Sequence, residues 1–167
     1  MSENNDLANL ARATLDACNK AGFKMATAES CTGGMIAAAL TDLAGSSSVF
    51  VAGFVTYSNT AKSQMIDVAK ELIDFKGAVS EDVAVEMALG ALANSEADVA
   101  VSVTGVAGPG GGSAEKPVGT VHMCCALSTG ELAHIKQNYG DLKRAEIRQL
   151  TAQDALKMVI SAVESVS

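Results

Sequence analysis

The order of the apolar patterns constrains this chain most: helix-period segments alternate with short apolar runs, and the last two runs stand back to back. Leu7, Leu10, Ala11, Thr14, Leu15 and Cys18 recur at helical spacing, with Gly22 as the stop. Phe23 to Ala28 reads as a short strand, and Met35 to Leu43 as an Ala-rich helix ending at Gly45. Val49 to Tyr57 (VFVAGFVTY) is the strongest strand signal. Asn59 can cap a helix to about Asp67, Lys70 to Phe75 adds a short helical turn, and Ser80 can cap a helix to about Ala93. Val99 to Thr104 is a buried strand by its apolar run. Thr120 to Leu127 and Glu131 to Gln137 form a hairpin around Ser128-Thr129-Gly130, and Asp141 can cap a long last helix to about Val163. This order predicts an α/β fold: a three-layer α/β/α sandwich with a mixed sheet of about five strands. With no linker, composition break or repeat, residues 1–167 read as one domain.

Composition narrows the function. Hydrophobic residues are 49% and charged residues 19% of 167, enough for a core without disulfide staples. Only 4% is aromatic, Trp is absent and Gly reaches 15, so the core is built from small and aliphatic side chains. A net charge of -7 argues against nucleic acid, which needs a basic field, but permits a small anion in a locally basic pocket. No apolar run reaches the roughly 18 residues of a membrane span. The polar, acidic start does not read as a signal peptide. Cys18, Cys31, Cys124 and Cys125 form no C-x-x-C pair and read as reduced thiols of a cytoplasmic protein.

Three segments can carry chemistry. Ala28-Glu29-Ser30-Cys31-Thr32-Gly33-Gly34 leaves a strand and enters a helix, the junction where open α/β sheets bind ligands. It holds two adjacent nucleophile types, Ser30 and Cys31, and backbone N–H groups for an oxyanion; a plain polar turn is the rival reading. Thr56-Tyr57-Ser58-Asn59-Thr60-Ala61-Lys62 puts a lysine in the first turn of a helix, where the dipole disfavours its charge and suits it to act as a base. An ordinary solvated lysine is the alternative. Thr104-Gly105-Val106-Ala107-Gly108-Pro109-Gly110-Gly111-Gly112-Ser113 is a glycine loop that is neither a Walker A nor a Rossmann fingerprint. It either meets a ligand or merely connects. His122 and His134 read as packed or sheet-surface residues, so lysine is the natural partner of a Ser30 nucleophile. Lys143, Arg144 and Arg148 form either a solvated face or a clamp on an anion.

Together, TAESCTGG (Thr27 to Gly34), GFVTYSNTAK (Gly53 to Lys62), GAVSE (Gly77 to Glu81), TGVAGPGGGS (Thr104 to Ser113) and EKPVGTV (Glu115 to Val121) resemble the CinA C-terminal domain family in its stand-alone form. The resemblance runs from about Leu7 to the last helix. It implies hydrolysis of the carboxamide of nicotinamide mononucleotide to nicotinate mononucleotide and ammonia, without metal or cofactor, in pyridine nucleotide recycling. It also implies a homodimer. By the same resemblance Ser30 is the nucleophile, Lys62 its base, Tyr57 and Thr104 further catalytic-site residues, and Arg144 a substrate contact with Arg148 the fallback. Thr32, Gly33, Gly34, Asn59, Gly105 and Gly108 complete the expected substrate-binding set. Gly110 stands where many members have Asp. Two rivals stay open: Cys31 as nucleophile, and a non-catalytic nucleotide-binding or competence/damage-associated partner module.

Overall fold

Each strand of the sheet is flanked by the signal that starts or stops its neighbouring helix. In the computed structural model, residues 2–167 are described, with side chains from Asp6 onward. Helix α1 (Ser2–Ala21) ends at Gly22, whose φ of 72° lets the chain turn. The Gly22 N–H bonds the Asn19 carbonyl, and the Phe23 N–H bonds the Cys18 carbonyl at 2.9 Å. Strand β1 (Met25–Glu29) then enters the sheet, two residues later than the pattern predicts. The Lys24 carbonyl first accepts from Asp98 and Val99. Next come α2 (Met35–Thr41), β2 (Phe50–Val55), α3 (Asn59–Ile66), α4 (Lys70–Lys76), α5 (Glu81–Ala93), β3 (Val99–Gly105), β4 (Thr120–Leu127), β5 (Leu132–Asn138) and α6 (Arg144–Ser165).

Two expected caps shift. Ser58, not Asn59, caps α3, its hydroxyl accepting from Ala61 at 3.0 Å. Asp141 does not cap α6, which starts three residues later; there the Glu146 carboxylate accepts from the Lys143 N–H at 2.9 Å. Ser80 caps α5 as expected, and β4 has its expected bounds.

The sheet order is β2-β1-β3-β4-β5, parallel through β3 and antiparallel beyond it. It is the mixed five-stranded sheet of a three-layer α/β/α sandwich. Helices α1, α2 and α6 cover one face, and α3, α4 and α5 the other. Alternation along β3 and β4 makes the faces unlike. Val99, Val101, Val103, Val121, Met123 and Leu127 face α1 and α6. Ala100, Ser102, Cys124 and Ala126 face α5, where the Ser102 hydroxyl bonds the Ala84 carbonyl at 2.5 Å. Small residues let α5 lie close. At Gly90 an added Cβ would stand 1.9 Å from the Ile66 carbonyl oxygen, so nothing larger fits there. This is where the Gly- and Ala-rich composition acts. Among the described residues no helix is long and apolar enough to cross a membrane.

Candidate active site

The chain reverses its winding at β1, since β2 pairs on one side of it and β3 on the other. Such a point leaves a crevice at the C-terminal strand ends. A cleft of about 220 Å³ opens there, lined by Ser30, Cys31, Tyr57, Asn59, Lys62, Ala78, Val79, Thr104, Gly105, Ala107 and Arg144. Five chain segments meet in it. Among the described residues no carboxylate lines it, so a chain of net charge -7 presents a locally basic pocket.

Lys62 lies 1% exposed in the fourth position of α3. Its Nζ is 3.1 Å from Ser30 Oγ, 2.9 Å from the Thr56 carbonyl and 3.4 Å from the Tyr57 carbonyl. Burial holds its ammonium below the ordinary 10.5. The sequence pointed to the helix start as the cause; in the structure the lowering comes from desolvation by burial. Cys31 lies beside Ser30, but burial pushes its thiol up to about 11. Near neutral pH it holds almost no thiolate, the attacking form.

The loop that carries Ser30 is fastened from below by Glu29, fully buried at the end of β1. Its carboxylate accepts from the Thr32 hydroxyl at 2.7 Å and from the Ile36 and Ala37 N–H groups at 2.8 and 3.0 Å. No spacing rule marked Glu29, because it caps a helix that begins six residues downstream. From the other side Arg148 donates from Nε to the Cys31 carbonyl at 3.0 Å and from Nη2 to the Thr32 carbonyl at 2.9 Å.

The structure thus brings Ser30, Tyr57, Asn59, Lys62, Thr104, Gly105 and Arg144 into one cleft. It leaves Thr32, Gly33, Gly34 and Gly108 outside the cleft wall. The Gly33 N–H, expected to face an oxyanion, is already taken by the Ser30 carbonyl at 3.0 Å. The Thr104 hydroxyl donates to the Ala78 carbonyl at 2.9 Å and so fastens two cleft walls together. Arg144 donates to the Gly108 carbonyl and to the Tyr57 hydroxyl, both at 2.8 Å. His122 and His134 stack outside the cleft, their nearest ring nitrogens 2.9 Å apart. Burial, with His134 second, pushes His122 down to about 4, the state of a packed neutral histidine.

A buried lysine thus touches a serine at a strand-end crevice of an α/β sheet. The model of the CinA C-terminal domain matches residues 7–163, and the chain belongs to that family. It is 50% identical over 147 residues to the "Nicotinamide-nucleotide amidohydrolase PncC" of Escherichia coli (strain K12), covering 88% of this chain and 89% of that protein. It is 56% identical over 131 residues to the "CinA-like protein" of Geotalea uraniireducens (strain Rf4), covering 78% of this chain but only 31% of that longer protein. Among solved structures, the competence/damage inducible protein CihA from Agrobacterium tumefaciens superposes with a TM-score of 0.92 at 51% identity, covering 95% of this chain and 96% of that one.

Proposed function

We propose that this chain hydrolyses the carboxamide of nicotinamide mononucleotide, giving nicotinate mononucleotide and ammonia by a Ser–Lys mechanism, and so serves pyridine nucleotide recycling. The observation that carries the reading is the 3.1 Å approach of the buried Lys62 Nζ to Ser30 Oγ at the floor of a locally basic cleft. A neutral amine has two N–H donors and one lone pair. The Thr56 and Tyr57 carbonyls accept the two donors and leave the lone pair for the Ser30 proton. Ser30 then attacks the carboxamide carbon, and backbone N–H groups of its loop hold the oxyanion. Protonated Lys62 delivers the proton to the departing ammonia. Water, activated by the same lysine, releases the acid and frees Ser30. Arg144 gives up one of its present partners to meet the phosphate, with Tyr57, Asn59 and Gly105 beside the nucleotide. In this reading the chain acts as one domain, as a cytoplasmic homodimer.

The test is ammonia release from nicotinamide mononucleotide, with nicotinamide and its riboside as controls. Ser30→Ala and Lys62→Ala should each lower turnover more than ~1000-fold, as loss of a nucleophile or its base does. Full activity in either variant would sink the dyad. Loss of all turnover in Cys31→Ala, with Ser30→Ala active, would transfer the role to the thiol. Nucleotide binding by the wild type without ammonia release would make the chain a binding module instead.

A further inference from the structure

The two arginines of α6 stand one helical turn apart and do different things. Arg144 reaches the cleft, whereas Arg148 touches only loop backbone among the contacts described above. The Arg148 guanidinium is planar, and its fork holds two successive carbonyls, those of Cys31 and Thr32. In a trans peptide the N–H points opposite the C=O. Fixing the Cys31 carbonyl therefore turns the Thr32 N–H away from Arg148. Fixing the Thr32 carbonyl aims the Gly33 N–H, which reaches the Ser30 carbonyl at 3.0 Å. That bond in turn orients the Ser30–Cys31 peptide and its Cys31 N–H. Three consecutive peptide planes after the nucleophile thus hang on one side chain. Among the described residues the Cys31 N–H meets only its own thiol and the Thr32 N–H bonds no other residue, whereas the Gly33, Ile36 and Ala37 N–H groups are taken by other residues.

We infer that Arg148 is a positioning residue that sets the oxyanion site, with the N–H of the cleft-lining Cys31 as its donor. This rests on the Ser30 amidohydrolase reading. Arg148 does not contact substrate; it acts through the loop backbone. The expected substrate role falls to Arg144 alone.

The experiment compares wild type, Arg148→Ala, Arg148→Lys and Arg144→Ala in ammonia release from nicotinamide mononucleotide, each first shown folded by circular dichroism. Arg148→Ala should lose at least about tenfold in kcat with KM nearly unchanged, a fraction of the 10²–10³ lost with a whole oxyanion donor. Arg144→Ala should act mainly on KM. Free guanidinium ion at millimolar concentration should restore part of the Arg148→Ala rate, and Arg148→Lys should fall between, since an ammonium lacks the fork. Unchanged kcat in Arg148→Ala, or a rise in KM instead, overturns the inference. Labelling of Ser30 by a sulfonyl fluoride supplies a readout without nucleotide. Slower labelling of Arg148→Ala supports the inference even if the wild type leaves the nucleotide uncut, which would overturn only the substrate reading. Equal labelling rates overturn it. If Arg148→Ala does not fold, the same two readouts on Arg148→Lys decide between these outcomes.

Discussion

The loops that leave β1 and β3 start at the same edge of the sheet and are built in opposite ways. The first, Ser30 to Gly34, is short, largely buried and held by Glu29 from within and Arg148 from without. The second, Val106 to Gly119, has an exposed middle from Pro109 to Glu115. It is tied by a few bonds: the Gly108 carbonyl to Arg144, Val106 and Gly119 to each other and the sheet, and Lys116 Nζ to the Lys76 carbonyl at 2.9 Å. In the proposed mechanism bond making demands a nucleophile fixed to within a fraction of an ångström, which the tightly held loop under Ser30 would supply. A wall that, in the proposed reaction, admits and releases a nucleotide would tolerate a looser build.

The largest effect should come from breaking the rigid loop at its base. Glu29→Gln keeps the size but points an amide N–H₂ at one of three donors. It should cost about 2–3 kcal/mol of stability, read as a lower Tm, and lower kcat along with it. An unchanged Tm would mean that the carboxylate does not fasten the loop. The second test varies pH. Lys62 must be neutral to act, so kcat/KM should rise about tenfold per pH unit below its pKa and level off at a pH under 10.5. A profile flat on its acid side would remove the lysine from the base role. The third works on the looser loop. Lys116→Ala removes an exposed bond and should raise KM a few-fold, with kcat and Tm nearly unchanged. The smallest is Gly110→Asp. No atom lies within 4 Å of a Cβ there and φ is not positive, so kcat/KM and Tm should stay within about twofold and about 1 °C. A large loss would show that the open loop is as tightly specified as the closed one.

What could be read from the sequence follows the same division. The family resemblance singled out Ser30, Tyr57, Lys62 and Arg144, which share one cleft, and the periodicity carried the element order and the sheet class. Local signals succeeded where the cause is local: Gly22 stops α1 and Ser80 caps α5. They failed where a side chain acts across the fold. Glu29 caps a helix through the interior, and Arg148 reaches back 116 residues to the Thr32 carbonyl. The glycine pair suggested free donors, yet which N–H a turn consumes depends on how it closes, and the Gly33 N–H closes it. Asp141 had the right residue type for a cap, but α6 begins only at Arg144, with Glu146 doing the capping.

The close approach at Gly90 reaches further than packing. Ile66, whose carbonyl oxygen it faces, sits one turn along the same eight-residue helix as Lys62. A side chain at position 90 would push that short rod at its C-terminal end and shift the amine held one turn away. A larger residue at position 90 would thus disturb the placement of Lys62 as well as the packing, though it lies 60 residues from Ser30 in the chain.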